Sequence, residues 1–399
     1  MHLRACTVVL LTLSCSALCQ ESGKDAASQT LESVNQFSVK LYQVLADDDR
    51  QGNLIFSPFS VDLVLAMAYV GAGGLTAKEI ADGLNVPNNI TAVETGYRTV
   101  MGDLEGKTRA VTLELANKLY ADKSGQIYLE YVTKIQDVFK ADVGVVDFQN
   151  DGRAALKDIN EWAETATHGK IKNVISQDLL KSNTRLIALN AVYFYGKWLY
   201  TFNERRTEKK DFHLSTGLTV KADLMKQKGR FPYGQFDDFE VLKMYYQGKD
   251  TSMIILLPSE RFGLAKVESK LHELNFANIN LGLWTRDVIV TLPKFRVESD
   301  MNLKSPLKKM GISNIFDPEA NFSKISSKRL HISDIVQKAF VEVTEEGTEA
   351  AAVTGSSTII RPGPPPQLPV YFTADHPFVF IIQDENSKAI LFMGRFTAP

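Results

Sequence analysis

Side chains able to carry out a reaction are sparse in this sequence. Its histidines are His2, His168, His213, His272, His331 and His376. None stands in an H-E-x-x-H pattern, which would set two metal ligands and a general base on one helix face. No G-x-S-x-G places a serine nucleophile on a strand-to-helix turn. Each histidine therefore reads as a surface or structural residue. The only cysteines, Cys6, Cys15 and Cys19, lie at the extreme N-terminus. The rest of the chain has no thiol nucleophile and no cysteine-based zinc site. No catalytic residue, metal or cofactor is expected, and the chain does not read as an enzyme. What stands out is a segment with little to react: "EEGTEAAAVTGSSTIIRPGPPPQLP", Glu345 to Pro369. Small side chains lead to a single Arg361, and a proline-rich stretch begins at Pro362.

Side chains alternate between the two faces of a strand. Taken as a strand, this segment puts Thr348, Ala350, Ala352, Thr354, Ser356 and Thr358 on one face, all small and uncharged. The other face carries Glu349, Ala351, Val353, Gly355, Ser357 and Ile359. Such a strand can lie on a packed core without burying a charge, yet its small side chains gain little by doing so. By composition the segment is a flexible linker. By position it is not, because too little chain follows to form a second unit, and a long loop inside a compact domain is more often functional.

The surrounding elements must hold this loop. Leu31, Val34, Phe37, Leu41 and Val44 recur at helical spacing, so positions 28–46 read as an amphipathic helix. "SPFSVDLVLAMAYVGAGG" reads as a buried helix capped by Ser57, with Pro58 in its first turn and glycines at its end. "INEWAETATHGKIKNVI" contains another helix, closing near Gly169. "TLELANKLYA", "TRLIALNAVYFYGKW", "SMIILLP" and "DVIVTLPKFRV" are strand-like. "AFVEVTEE" alternates, with Ala339, Val341 and Val343 on one face, and "HPFVFIIQDENSKAILFMGRF" reads as two strands and a turn. No repeat or linker divides the chain, so a single mixed helix-and-strand domain is expected.

The N-terminus, "MHLRACTVVLLTLSCSALCQESG", has Arg4 ahead of a short apolar run and small residues before Gln20. It reads as a secretory signal peptide over residues 1–19. The other reading, a membrane anchor, needs about 20 apolar residues. Secretion gives meaning to two N-glycosylation acceptors, Asn89 and Asn321. A formal net charge of −2 shows no basic field for nucleic acid. "YRTVMGDLEGKTR" scatters its basic residues among acidic ones, so no heparin-like cofactor site is expected.

"VEVTEEGTEAAAVTGSS", "FTADHPFVFII" and "ILFMGRFTAP" resemble the hinge, reactive loop and C-terminal strands of a serpin. "NLIFSPFSVDLVLAMAYVGAGGLTAKEI", "NAVYFYGKW", "MIILLP" and "LPKF" sit in the family's order, and the resemblance covers essentially the whole chain after the leader. It implies an α+β fold: one domain, residues 20–399, with three β-sheets, about nine helices and an exposed reactive loop at about 345–370. It also implies a secreted, monomeric inhibitor that acts as a suicide substrate. A serine protease cuts the loop and is trapped as a covalent acyl complex when the loop inserts into the main sheet; serpin loop insertion is among the known modes of switching.

Carried across by resemblance, Glu345 and Glu346 begin the hinge, Gly347 gives it backbone freedom, and Thr348 is the first side chain buried on insertion. Ala350, Ala351 and Ala352 form the mobile stretch. Ser57, Ser60 and Asn190 match a polar cluster under the sheet's opening point, and Trp198 an aromatic at its top. Gln337 departs from the histidine of many members; its amide can donate and accept as a neutral imidazole does, but brings no pH dependence. The family's count puts the cut at Arg361–Pro362, which selects a trypsin-like protease. Proline after the bond resists such enzymes, so shifted cuts at Thr358–Ile359, Ile359–Ile360 or Ile360–Arg361, suited to elastase- or subtilisin-like proteases, stay open. The alternative function is a non-inhibitory carrier, storage protein or chaperone; the small uncharged face favours inhibition.

Overall fold

The computed structural model describes residues 3–105, 110–181, 183–347 and 368–399, with residues 3–24 and Glu105 described as backbone only. Its helices are α1 (Leu3–Asp48), α2 (Pro58–Gly71), α3 (Gly74–Leu84), α4 (Ile90–Glu105), α5 (Leu129–Phe139), α6 (Gly152–Ala166), α7 (Leu264–Lys270) and α8 (Lys304–Lys309). Its strands are β1 (Leu54–Phe56), β2 (Val111–Asp122), β3 (Asp142–Val146), β4 (Leu186–Gly196), β5 (Glu208–His213), β6 (Thr219–Gln235) and β7 (Phe239–Tyr245). They continue with β8 (Thr251–Pro258), β9 (Trp284–Pro293), β10 (Phe295–Asn302), β11 (Ile332–Val343), β12 (Val370–Thr373), β13 (Phe378–Asp384) and β14 (Ile390–Phe396). Short 3₁₀ segments lie between them.

The described strands form two hydrogen-bonded sheets. One is five-stranded, in the order β10-β11-β4-β2-β3; the other is nine-stranded, β1-β14-β13-β8-β7-β6-β9-β12, with β5 on β6. Three sheets are expected from the resemblance, and β6 explains the difference. Its 17 residues pair with β5 over Thr219–Leu224, with β9 over Leu224–Tyr233 and with β7 over Tyr233–Gln235. One strand thus links what would otherwise be two sheets.

The main core lies between the two sheets and is filled by α2, every residue of which is buried. Ser57 caps α2 as its sequence predicts: its Oγ accepts from the Ser60 amide at 3.4 Å, and Pro58 opens the first turn. The other face of the five-stranded sheet carries a second apolar cluster. Here Ala155, Ile159 and Ala163 of α6 pack with Ile187, Leu189 and Ala191 of β4 and Val336 of β11. Alternation along β4 and β11 therefore serves two cores, one on each face. α6 closes as expected, with the Gly169 amide reaching back to Glu164 O at 2.7 Å and φ of +77° at Gly169.

α1 departs from expectation. It runs unbroken from Leu3 to Asp48, where a helix over 28–46 and a separate leader are expected. The segment joining them, "QESGKDAA", has one glycine and no proline, so nothing in it forces a break. No described helix is long and apolar enough to cross a membrane.

Candidate functional site

β4 and β11 lie side by side and parallel, in register from Asp334↔Ile187 to Phe340↔Tyr193, with a register shift at Ser333 below which Ile332 pairs with Leu186. β11 continues to Val343 and β4 to Gly196, so each runs three residues past the shared ladder (340 to 343, 193 to 196). Two groups of expected site residues sit along this seam.

The first group is at its upper end. The chain leaves β11 through a turn, Thr344–Gly347, in which the Thr344 amide donates to Gly347 O at 3.0 Å and the Gly347 amide to Thr344 O at 3.2 Å. Trp198 holds this turn. Its Nε1 donates to Thr344 O at 3.0 Å, and its backbone amide donates to Glu346 O at 2.8 Å. The Phe202 amide donates to Glu345 O at 2.7 Å. The indole is buried and stacks on Tyr246 with centroids 4.4 Å apart. Gly347 has φ of +109°, and a Cβ there would stand 2.3 Å from Gly196 O and 2.5 Å from Trp198 N. Glycine is needed both for the dihedral and for the close approach.

The Glu345 carboxylate is held as firmly as its backbone. Thr207 Oγ1 donates to one oxygen at 2.8 Å, and Lys294 Nζ pairs with the other at 3.0 Å. Burial pushes this carboxyl up, but the bonds from Lys294 and Thr207 outweigh it and leave it below its ordinary value. Glu346 contributes its carbonyl to Trp198. The rest of the expected loop lies outside the described residues: Thr348, Ala350, Ala351, Ala352, Thr358, Ile359, Ile360, Arg361 and Pro362.

The second group lies six residues lower on β4 (190 to 196), about 20 Å away along an extended strand. Asn190 and Gln337 are register partners across the seam. Gln337 Oε1 accepts from the Ser57 amide at 2.8 Å, and its Nε2 donates to Ser57 O at 2.9 Å and Asn190 Oδ1 at 3.3 Å. Asn190 Nδ2 donates to Asn117 Oδ1 at 2.7 Å and Ser60 O at 3.4 Å. The amide of Gln337 thus serves both backbone polar groups of one residue, Ser57, just before α2. Ser57, Ser60, Asn190 and Gln337 are all buried. Ser60 joins through its carbonyl; its hydroxyl has no partner among the described residues.

One turn into α2, Asp62 is fully buried. The Tyr97 hydroxyl donates to Oδ1, and Oδ2 has no partner among the described residues. Burial raises this carboxyl to about 7, the Tyr97 bond opposing it.

Several supporting residues escape the sequence reading. Asn117 is an amide inside an apolar strand, a signal available in "TLELANKLYA". Lys294 stands in the quoted "LPKF". Thr207 and Tyr246 carry no local signal; only the fold brings them to the turn. Asn89 and Asn321 are both exposed. Asn89 Oδ1 accepts from the Ala92 amide at 3.2 Å, and Asn321 Oδ1 from the Ser323 amide at 3.2 Å.

The family model described as Serpin (serine protease inhibitor) matches residues 32–399. A leukocyte elastase inhibitor of Bos taurus is 36% identical over 378 residues, 91% of this chain and 98% of the relative. The crystal structure of Serpin48 from the insect Tenebrio molitor aligns with a TM-score of 0.83 at 34% identity, covering 93% of this chain and 98% of that one. Human thyroxine-binding globulin complexed with its ligand aligns with a TM-score of 0.84 at 25% identity, covering 94% and 99%. The match runs through the β4/β11 seam, the Thr344–Gly347 turn and the buried polar cluster, and this protein belongs to the serpin family.

Proposed function

We propose that the chain inhibits a serine protease as a suicide substrate. The observation that carries this reading is the hinge turn at Gly347, seated at the upper end of a parallel β4/β11 seam. A chain turning back at the end of β11 runs antiparallel to β11. Because β4 is parallel to β11, it runs antiparallel to β4 as well. Residues after Gly347 can therefore enter between the two strands with both ladders satisfied. They replace one parallel ladder by two antiparallel ones, a net gain of one strand.

The protease serine attacks the loop carbonyl, forms an acyl-enzyme and releases the new amino terminus on the C-terminal side. Freed at that end, the loop inserts and carries the bound protease with it, and the distorted active site fails to hydrolyse the ester. A strand of about a dozen residues adds about that many backbone hydrogen bonds, each worth roughly 1 kcal/mol net. A gain on the order of 10 kcal/mol matches the whole stability of a typical domain, roughly 5–15 kcal/mol. An inward charge would oppose it by several kcal/mol; the face that starts at Thr348 has none.

The fold alone does not select inhibition, since one similar structure is a thyroxine-binding globulin. The small-residue face is what favours it over a carrier. Cleavage at Arg361–Pro362 makes the target trypsin-like; a cut at Thr358–Ile359, Ile359–Ile360 or Ile360–Arg361 makes it elastase- or subtilisin-like. The relatives named elastase inhibitors support the second group. Residues 1–19 are proposed as a leader removed on secretion, with Asn89 and Asn321 glycosylated and the inhibitor acting as a monomer.

The test is incubation with trypsin-, elastase- and subtilisin-like proteases, followed by denaturing electrophoresis and sequencing of the released C-terminal peptide. An SDS-stable complex is expected with at least one protease, and the peptide's first residue identifies the bond. Cleavage throughout the panel with no stable complex overturns inhibition in favour of the carrier.

A further inference from the structure

The segment Ala374–Pro377, which joins β12 to β13, carries a histidine with an acceptor at each ring nitrogen. β12 has four residues and stands at the end of the nine-stranded sheet; among the described strands it pairs only with β9. The joining segment does much of the remaining holding. The Ala374 amide donates to Thr291 O of β9 at 2.9 Å, and the His213 amide, at the end of β5, donates to Asp375 O at 2.8 Å. His376 is buried. Its Nε2 lies 2.8 Å from Pro258 O, at the end of β8, and its Nδ1 lies 2.8 Å from Asp375 Oδ1.

These two contacts fix the state of the imidazole. Carbonyl and carboxylate oxygens only accept, and a neutral imidazole has a single N–H. Both contacts are hydrogen bonds only if both ring nitrogens carry protons or if Asp375 is itself protonated. The surroundings of Asp375 oppose the second arrangement. Arg261 Nη2 is 3.7 Å and His213 Nε2 4.0 Å from its Oδ2. Burial pushes the Asp375 carboxyl up, but His376, Arg261 and His213 outweigh it and leave it below its ordinary value. Glu240 of β7 also faces His376; burial raises its carboxyl, and Tyr233 and His376 oppose the rise. The imidazolium is thus the form that this junction completes. Without one of its protons, either Pro258 O or the Asp375 carboxylate faces a lone pair inside the protein, which is costly for a buried acceptor.

We propose that Asp375 and His376 form a proton-operated clamp on β12, closed while His376 is an imidazolium and loosened when it is neutral. Histidine changes charge between about pH 5 and 8. The hold on β12 is therefore full at the acid end of that range and is lost as pH rises through it. β13 keeps its ladders to β8 and β14 in both states, so the change is confined to the edge strand and the segment that joins it. In the inhibitor proposed above, β12 follows the reactive loop, and the clamp sets how firmly that end of the loop is tethered.

The test uses the uncut full chain and no protease, so it stands apart from the inhibitory reading. Isotope labelling of the histidine ring nitrogens, read by NMR, should show both nitrogens of His376 protonated at about pH 5.5. Hydrogen exchange, corrected for its intrinsic pH dependence, should show the protection of residues 370–376 falling about tenfold between about pH 5.5 and about pH 8. Residues 378–384 of β13 should keep theirs. His376→Gln should leave β12 at the weakly protected level at both pH values. His213→Gln, Glu240→Gln and the remote His168→Gln should each keep the pH response. A His376 with one protonated nitrogen at about pH 5.5, equal protection of β12 at both pH values, or a parallel fall across β13 would overturn the proposal. So would a pH response that survives His376→Gln or disappears in His213→Gln. If His376→Gln does not fold, the NMR and exchange measurements on the wild type decide alone.

Discussion

At the scale of residues, two buried polar side chains set the behaviour of the region beneath the seam. Gln337 occupies both backbone polar groups of Ser57 and reaches Asn190 across the seam. Gln337→Leu leaves the Ser57 amide without its partner, at about 1–3 kcal/mol for a buried group. The intact protein is therefore expected to melt a few degrees lower and to convert faster to an inserted, inactive form on storage. Thermal unfolding and residual inhibitory titre after incubation check this; an unchanged midpoint and titre would remove Gln337 from the control of the seam. Asp62 acts in the opposite sense. Its folded-state value is about 7 against an ordinary 3.8, because burial disfavours the charge. A raised folded value stabilises fully below the unfolded value, and that contribution is lost as pH rises through the folded one. Asp62→Asn keeps the acceptor for Tyr97 and removes the titration. It should stabilise the protein near neutral pH by on the order of a few kcal/mol, with little effect near pH 4. Denaturant unfolding at both pH values tests the sign.

At the scale of elements, the proposed insertion takes place at the seam where β4 and β11 are paired. Thr348 is the first inward position of the strand proposed to enter it. In Thr348→Arg a guanidinium must be buried before the rest can follow, at a cost of several kcal/mol. Acyl-enzyme hydrolysis should then outrun insertion, so many more inhibitor molecules are consumed per protease inactivated. Glu349→Arg puts the same side chain toward solvent and should leave that ratio close to the parent's. Equal ratios for Thr348→Arg and the parent would contradict insertion; equal losses in both variants would show the faces to be out of register. Much of this element was legible in the sequence because it is local. Ser57 and Pro58 start α2 by capping chemistry, and the alternation of Ala339, Val341 and Val343 marks the buried face of β11. Ser57, Ser60, Asn190, Gln337 and Trp198 came through resemblance, and the fold gathers them at two points on one seam. Thr207 and Tyr246 were not legible: each meets its partner through tertiary packing, Thr207 across 138 positions to Glu345. The fusion of two expected sheets was hidden too, because it depends on how far β6 keeps pairing, not on its hydrophobic pattern.

At the scale of the whole molecule, the intact chain keeps a five-stranded sheet with β4 and β11 paired, while its own loop carries the sequence of a further strand. The intact fold is thus proposed to be metastable, held by the hinge turn at Trp198 and the amide cluster at Gln337. On that proposal, free energy on the order of 10 kcal/mol is withheld until the loop is cut. The continuous α1 gives the proposed leader no structural boundary of its own, so its removal is read from the N-terminal residue of the secreted protein. The measurement that bears most directly on the central claim is the thermal midpoint of the protein before and after a single cut within residues 348–367. At roughly 2–4 °C per kcal/mol for a large domain, insertion of the cut loop predicts a midpoint higher by tens of degrees. A cleaved protein that melts with the intact one would contradict the account, because the loop would then have gained nothing from the seam.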